Sequence, residues 1–259
     1  MRISFIGSGR VATHLAHVLS ISHEIVQIYS QQIEHAQILA QKVQAQAVNQ
    51  YQQIDQNIDL MIIAVSDQAI AKVIEQLSIY LKDTLIVHTS GSTSLELLTQ
   101  YHPKSGVFYP LQTFSLERDI DWSNTPLFIE AIEVDDLRRL TDLANSLSNH
   151  VYLYSSEQRL SLHLAAVFAC NFSNYCYDMA KQVVDAQQVD FGLLYPLILE
   201  TANKATQSDP KRVQTGPAVR KDLNILDMHQ QMLSGSGRDD LKQVYALLSQ
   251  GIIQRHESE

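Results

Sequence analysis

Cysteine is nearly absent: the 259 residues hold two, Cys170 and Cys176, both inside one apolar run. Their placement fits neither a zinc site nor the disulfide framework of a secreted domain. It points to a reducing compartment and to two thiols buried as small apolar side chains. No apolar run is long enough to cross a bilayer, and the first residues enter a strand pattern without the apolar core and cleavage site of a secretory leader. A soluble cytoplasmic protein with no membrane partner is therefore expected. Dense Lys/Arg blocks are missing too, and a formal net charge of −9 would repel a phosphate backbone, which sets nucleic acid aside as a partner. Internal repeats are lacking. The Gln-rich stretch 41–56 reads as a solvated helix and loop.

What the chain does have is 45% hydrophobic residues, ample for a packed core. Up to residue 154, short β-rich runs alternate with helical stretches: Ile3–Ile6, Ile25–Tyr29, Leu60–Val65, Leu85–His88, Gly106–Tyr109, Leu127–Glu130 and Val151–Tyr154 read as strands. Val11, Leu15 and Val18 share a helix face between the first two strands, and Ile33, Ala36, Ala40 and Val43 share one after the second. This is the pattern of an α/β domain built on a mostly parallel sheet. Beyond residue 155 the strand signals stop, and helices are expected over 157–186, 190–206, 218–234 and 238–254. The expected organisation is a Rossmann-like domain over 1–154 and an all-α domain over 155–259. Within the latter, "LSLHLAAVFACNFSNYCYDMA" is apolar on nearly every side, which implies burial in a helical core or an oligomer interface.

In "FIGSGRVA" the pattern Gly7-x-Gly9-x-x-Ala12 directly follows a strand and opens an amphipathic helix. Gly7 permits a tight turn, Gly9 lets the backbone approach a pyrophosphate, and Ala12 allows close packing of helix on strand. The helix N-terminus then offers free N–H groups to the phosphates, with Ser8, Arg10 and Val11 beside them. The second strand ends in Ser30, Gln31 and Gln32, where an NAD site usually carries the acid that binds the ribose 2′-hydroxyl. Its absence favours NADP and leaves NAD open, because the arginine that commonly holds a 2′-phosphate is also missing. Ser30 and His35 are the nearby candidates.

Ligands of open parallel sheets lie outside the carboxyl ends of the strands. After "LMII" come Val65, Ser66 and Asp67, where Ser66 or Asp67 also serves as a helix cap. After "LIV" come His88, Ser90 and Gly91, and a strand-end histidine beside serine can polarise or protonate a substrate oxygen or sit as a buried, hydrogen-bonded residue. Tyr109 ends a further strand, as a donor to substrate or as a packing residue. No Gly-x-Ser-x-Gly elbow surrounds Ser90, which counts against a hydrolase. His14 and His17 form an i, i+3 pair with no third ligand in the sequence, so no metal is expected.

Taken in order, "FIGSGRVA", "AVSDQAI", "HTSGS", "GVFYPLQTF", "HLAAVFACNF" and "TGPAVRKD" resemble the bacterial two-domain NAD(P)-dependent oxidoreductases that pair a Rossmann-like domain with a helical C-terminal domain of unknown function. A more distant similarity reaches pyrroline-5-carboxylate reductase, ketopantoate reductase and the 6-phosphogluconate dehydrogenase-like enzymes. The resemblance implies a cofactor and a small-molecule substrate in a cleft, and a helical domain that forms a homodimer. It also implies that His163, Asn171, Thr215, Gly216, Pro217, Arg220 and Asp222 face that cleft. Hydroxyacid dehydrogenases of this architecture carry a lysine four residues before the asparagine, where this chain has Val167. His163 and Asn171 are about 12 Å apart along an ideal helix and roughly 80° apart around it. They can line one cleft without bonding each other.

The leading expectation is hydride transfer between NADP(H) and a small carbonyl or imine, with His163, His88 or Tyr109 managing the proton and Asn171 orienting the substrate. The competing one is an NAD(P)-binding sensor without turnover, which the missing lysine favours.

Overall fold

The computed structural model describes residues 1–257 and divides into two compact units, the first ending at Asn171 and the second beginning at Phe172. The expected boundary at 154/155 falls where the last strand ends; the helix that follows is grouped with the sheet. Eight strands form one sheet: β1 (Arg2–Ile6), β2 (Glu24–Tyr29), β3 (Gln46–Val48), β4 (Leu60–Ile63), β5 (Leu85–His88), β6 (Ser105–Pro110), β7 (Leu127–Ala131) and β8 (Val151–Leu153). Their spatial order is β3-β2-β1-β4-β5-β6-β7-β8. The order reverses between β1 and β4, so the crevice at their carboxyl ends is where a doubly wound sheet receives a ligand.

The helices of this unit are α1 (Arg10–Leu19), α2 (Ile33–Val43), α3 (Asp67–Leu77), α4 (Glu96–Thr99), α5 (Val134–Asn145) and α6 (Ser156–Ala166). Helices α1, α2 and α5 cover one face of the sheet, where Leu15, Leu39 and Leu140 meet Phe5, Leu60, Ile62 and Val87. Helices α3 and α4 cover the other, where Ile70, Ile74 and Leu98 meet Met61, Ile63 and Ile86. Strand β4, "LMII", thus sends alternate side chains to opposite faces and is buried on both, as the central strand of a covered sheet must be. Each such buried side chain contributes about 1.5–3 kcal/mol.

Two expectations need correction here, and the mostly parallel sheet gains one detail. The Gln-rich stretch contains a strand, β3, and uses its amides structurally: the Gln27 side chain donates to Gln46 Oε1 and the Gln53 carbonyl, each at 2.9 Å. A buried amide on β2 thereby fastens the edge strand to the turn after it. Strand β7 runs antiparallel to β6, the one reversal among otherwise parallel pairs. Residues 111–126 join the two with a single 3₁₀ turn, Trp122–Asn124. Without a crossover helix the chain returns beside the strand it left. Finally, Ser66 occupies the N-cap position of α3 but makes no capping bond.

After α6 the helical run passes through a π-helical turn, Val167–Phe172, into α7 (Ser173–Asp185). In the second unit a 3₁₀ turn, Phe191–Leu194, leads to α8 (Tyr195–Gln207), followed by α9 (Leu223–Gly235) and α10 (Asp239–Glu257). Helix α9 starts later than its pattern suggests. Gly216 and Lys221 hold φ of +112° and +53°, outside right-handed helix, and Asp222 then caps the Ile225 N–H. Leu226 of α9 and Leu241 of α10 are buried, and Tyr245 meets His229 Nδ1 at 2.8 Å. The apolar run expected to be buried all round is not covered within the chain: Leu164, Phe168 and Tyr175 are exposed, as is Cys170, while Cys176 is partly exposed. The apolar pattern was legible, but the burial inferred from it was not. Among the described residues, no helix is long and apolar enough to cross a membrane.

Candidate active site

An open cavity of about 810 Å³ lies at the carboxyl ends of β1, β4, β5 and β6. Its floor is the β1–α1 turn. Gly7 has φ of +112°, and a Cβ there would come within 2.2 Å of the Ala64 carbonyl oxygen. No side chain fits on either ground. Gly9 has the opposite character: a Cβ there would meet nothing within 4 Å, because the space in front of it is the cavity. Gly9 is also the N-cap of α1 and makes no side-chain cap, so the first N–H groups of the helix are left for a ligand. Ala12 is fully buried against the sheet. A cradle that a Cβ at residue 9 would fill, over uncapped helix N–H groups, fits a dinucleotide pyrophosphate.

Of the residues expected to bind a cofactor, Gly7, Ser8, Gly9, Arg10, Val11, Val65, Ser66, Asp67, Ser90 and Gly91 line this cavity. Ser30 lines a neighbouring cavity of about 320 Å³ at the end of β2, together with Gln31, Gln32, His35, Tyr29 and Tyr51. Tyr29 and Tyr51 stack there with ring centroids 4.6 Å apart, and burial followed by the Tyr29 hydroxyl bond pushes the Tyr51 phenol up.

The loop after β5 is built by its own hydroxyls. Ser90 Oγ accepts the N–H groups of Ser92 and Thr93 at 3.1 and 3.0 Å, and Ser92 Oγ donates to Asp67 Oδ2. This stitches the β5 loop to the start of α3. Gly91 packs under two side chains: a Cβ there would lie 2.6 Å from His163 Nδ1 and 2.7 Å from Tyr109 Cζ. Those two groups meet each other, Tyr109 Oη lying 3.1 Å from His163 Nδ1. Tyr109 comes from β6 and His163 from α6, and both line the cavity. Burial, opposed by the charge of Arg159, pushes the Tyr109 phenol up to about 12.

His88 and Asn171 are placed differently. His88 is fully buried, does not line the cavity, and accepts the Ser90 N–H at Nδ1 over 3.1 Å. Burial, with Arg159 second, pushes its imidazole down to about 3, so it is neutral, carries its proton on Nε2, and finds no partner for it among the described residues. Asn171 is exposed within the π-helical turn and does not line the cavity.

Several site residues were not singled out from the sequence. Thr89 and Phe114 line the cavity. His14 Nε2–H donates to the Ser115 carbonyl at 2.8 Å, fixing the loop that carries Phe114 over α1. The most consequential omission is Arg159, 1% exposed. It donates to Glu130 Oε2 and the Thr93 carbonyl at 2.5 Å each, and to Ser156 Oγ at 3.1 Å. Glu130 also accepts the Ser156 N–H and hydroxyl, at 3.1 and 2.8 Å. Strand β7, the β5 loop and α6 are thus tied together one helical turn before His163. A glutamate within the apolar strand "LFIEA" was the available signal, since an inward carboxylate requires a partner.

A doubly wound sheet with a glycine cradle at its switch point, and a tyrosine–histidine pair lining the same cavity, has the architecture of a dinucleotide-binding protein. The comparisons with known proteins specify the class further. The family model described as NADP oxidoreductase, coenzyme F420-dependent, matches residues 2–91, and DUF2520, a domain of unknown function, matches residues 125–252. A candidate NADP oxidoreductase from Bacteroides fragilis is 40% identical, with a TM-score of 0.91 and 98% of each chain covered. The chain belongs to this family of two-domain NADP oxidoreductases, whose cofactor is NADP. The same fold recurs in an imine reductase from Myxococcus stipitatus solved with NADP+, at 13% identity, a TM-score of 0.71 and 100% of each chain. It recurs again in a pyrroline-5-carboxylate reductase from Coxiella burnetii, at 14% identity and a TM-score of 0.59, over 98% of this chain and 97% of that one. No curated protein sequence matches the chain.

Proposed function

We propose that this oxidoreductase reduces a small carbonyl or imine in the cavity bounded by Gly9, Gly91, Tyr109 and His163. The observation that carries the reading is the Tyr109–His163 pair facing the same space as the glycine cradle. The β1–α1 turn would hold the pyrophosphate, with Ser66, Asp67 and the β5 loop, which line the same cavity, available to the rest of the cofactor. NADPH bound there supplies a hydride to the substrate carbon. The oxygen or nitrogen left with the electron pair needs a proton. Tyr109, whose phenol stays protonated through neutral pH, donates to His163 Nδ1, which leaves the movable proton on Nε2. His163 gives up the Nε2 proton while the Tyr109 proton passes to Nδ1, so the ring stays neutral and solvent restores the proton to the phenol.

A homodimer in the cytoplasm belongs to the same proposal, supported by the uncovered apolar residues of the helical unit. A sensor without turnover retains one supporting observation, Val167 where related dehydrogenases have lysine.

Parallel titrations with NADPH and NADH, with Gly9→Asp as control, test the cofactor: micromolar NADPH binding lost in the variant supports it. Screening small oxo and imino acids with His163→Gln and Tyr109→Phe then separates enzyme from sensor. Turnover that falls at least about 100-fold in His163→Gln, with nucleotide affinity kept, is the expected result for a proton donor. Binding without turnover on any such compound favours the sensor.

A further inference from the structure

The cavity at the end of β2 raises a question of charge. NADP differs from NAD by a 2′-phosphate, and acceptors of that group usually supply arginine. Here the lining holds hydroxyls of Ser30, Tyr29 and Tyr51, amides of Gln31 and Gln32, and the imidazole of His35, with no lysine, arginine or carboxylate. Arg10 and Asp67 line the neighbouring cavity instead. His35 is exposed in the first turn of α2, and among the described residues its ring makes no hydrogen bond.

The geometry points to His35 as the residue that discriminates NADP(H) from NAD(H), through a protonated imidazole paired with the 2′-phosphate. The inference rests on the cofactor reading above. Imidazole is the side chain that changes charge between pH 5 and 8, so the discrimination fades as pH rises. The sign is distinctive. The phosphate itself gains charge through about pH 6, so without His35 the preference would stay level or grow towards alkaline pH. The other groups around His35 are the Tyr29 and Tyr51 phenols and Glu34 on its own helix; α3 contributes only Ala69 and Val73 to the lining.

The test is calorimetric titration of the full chain with NADP+ and NAD+ at pH 6.5 and 8.5, for the native protein, His35→Gln and His35→Arg. The native preference for NADP+ is expected to fall about threefold or more between the two pH values as the imidazole loses its charge. His35→Gln should show the low preference at both pH values, and His35→Arg the high preference at both. A native preference that does not fall, or a fall that survives in His35→Gln, overturns the assignment while leaving dinucleotide binding intact. If neither nucleotide binds, the cofactor reading fails and this inference with it.

Discussion

His88 shows how one residue can be placed correctly in the chain and still do something unlike what its neighbours suggest. Its position at a strand end beside Ser90 was legible, but its orientation was not, because the Ser90 N–H that claims Nδ1 belongs to a turn formed only when Ser90 Oγ caps residues 92 and 93. The buried neutral ring has a thermodynamic signature. Its folded pKa of about 3 lies below the value of about 6.5 for an unfolded histidine, so below pH 6.5 the unfolded chain binds the extra proton. Stability from this group is complete above pH 6.5 and is lost as pH falls towards 3, by up to about 1.4 kcal/mol per pH unit. Burial also pushes His102 and His23 down, adding to the same trend. Denaturant melts at pH 7 and 5 should show a smaller acid loss in His88→Asn, whose amide oxygen can accept the same N–H; an unchanged slope would assign the loss to the other histidines.

At the scale of elements, the strands that a run of apolar residues announces were legible: β4 and β5 are buried on both faces, and their sequences contain no polar residue before His88. Edge strand β3 was hidden because its residues hold their place through Gln27, 19 residues before Gln46. The reversal at β7 depends on what the 111–126 connection lacks, and propensity does not report that. For the node of Arg159, Glu130 and Ser156 the glutamate in an apolar strand was the one visible sign; its partners come from a helix unrelated to that strand in pattern. Removing one partner leaves the other stranded. Glu130→Ala should destabilise the protein by about 3–5 kcal/mol, since it abandons a buried guanidinium. Chemical denaturation reads this directly, and a loss below about 1 kcal/mol would mean that water replaces the carboxylate.

At the scale of the whole molecule, the second unit stands out for how little it buries. Leu193, Leu247, Leu199 and Leu223 are each more than 60% exposed, whereas its buried apolar residues are Ala218, Leu226 and Leu241. Apolar area on this scale marks an interaction surface. Sedimentation is expected to find two copies of the 29.2 kDa chain, and Leu193→Glu with Leu247→Glu should shift the equilibrium to one; a monomeric native protein would remove the homodimer from the proposal. The first unit carries a different consequence, one of timing. Tyr109 and His163 are separated by 54 residues. A ribosome adding about 5–20 residues per second completes the partner roughly 3–10 s after the tyrosine emerges, by which time the glycine cradle and all eight strands of the sheet have been synthesised. The nascent chain thus has the means to hold a nucleotide before it has the means to use one.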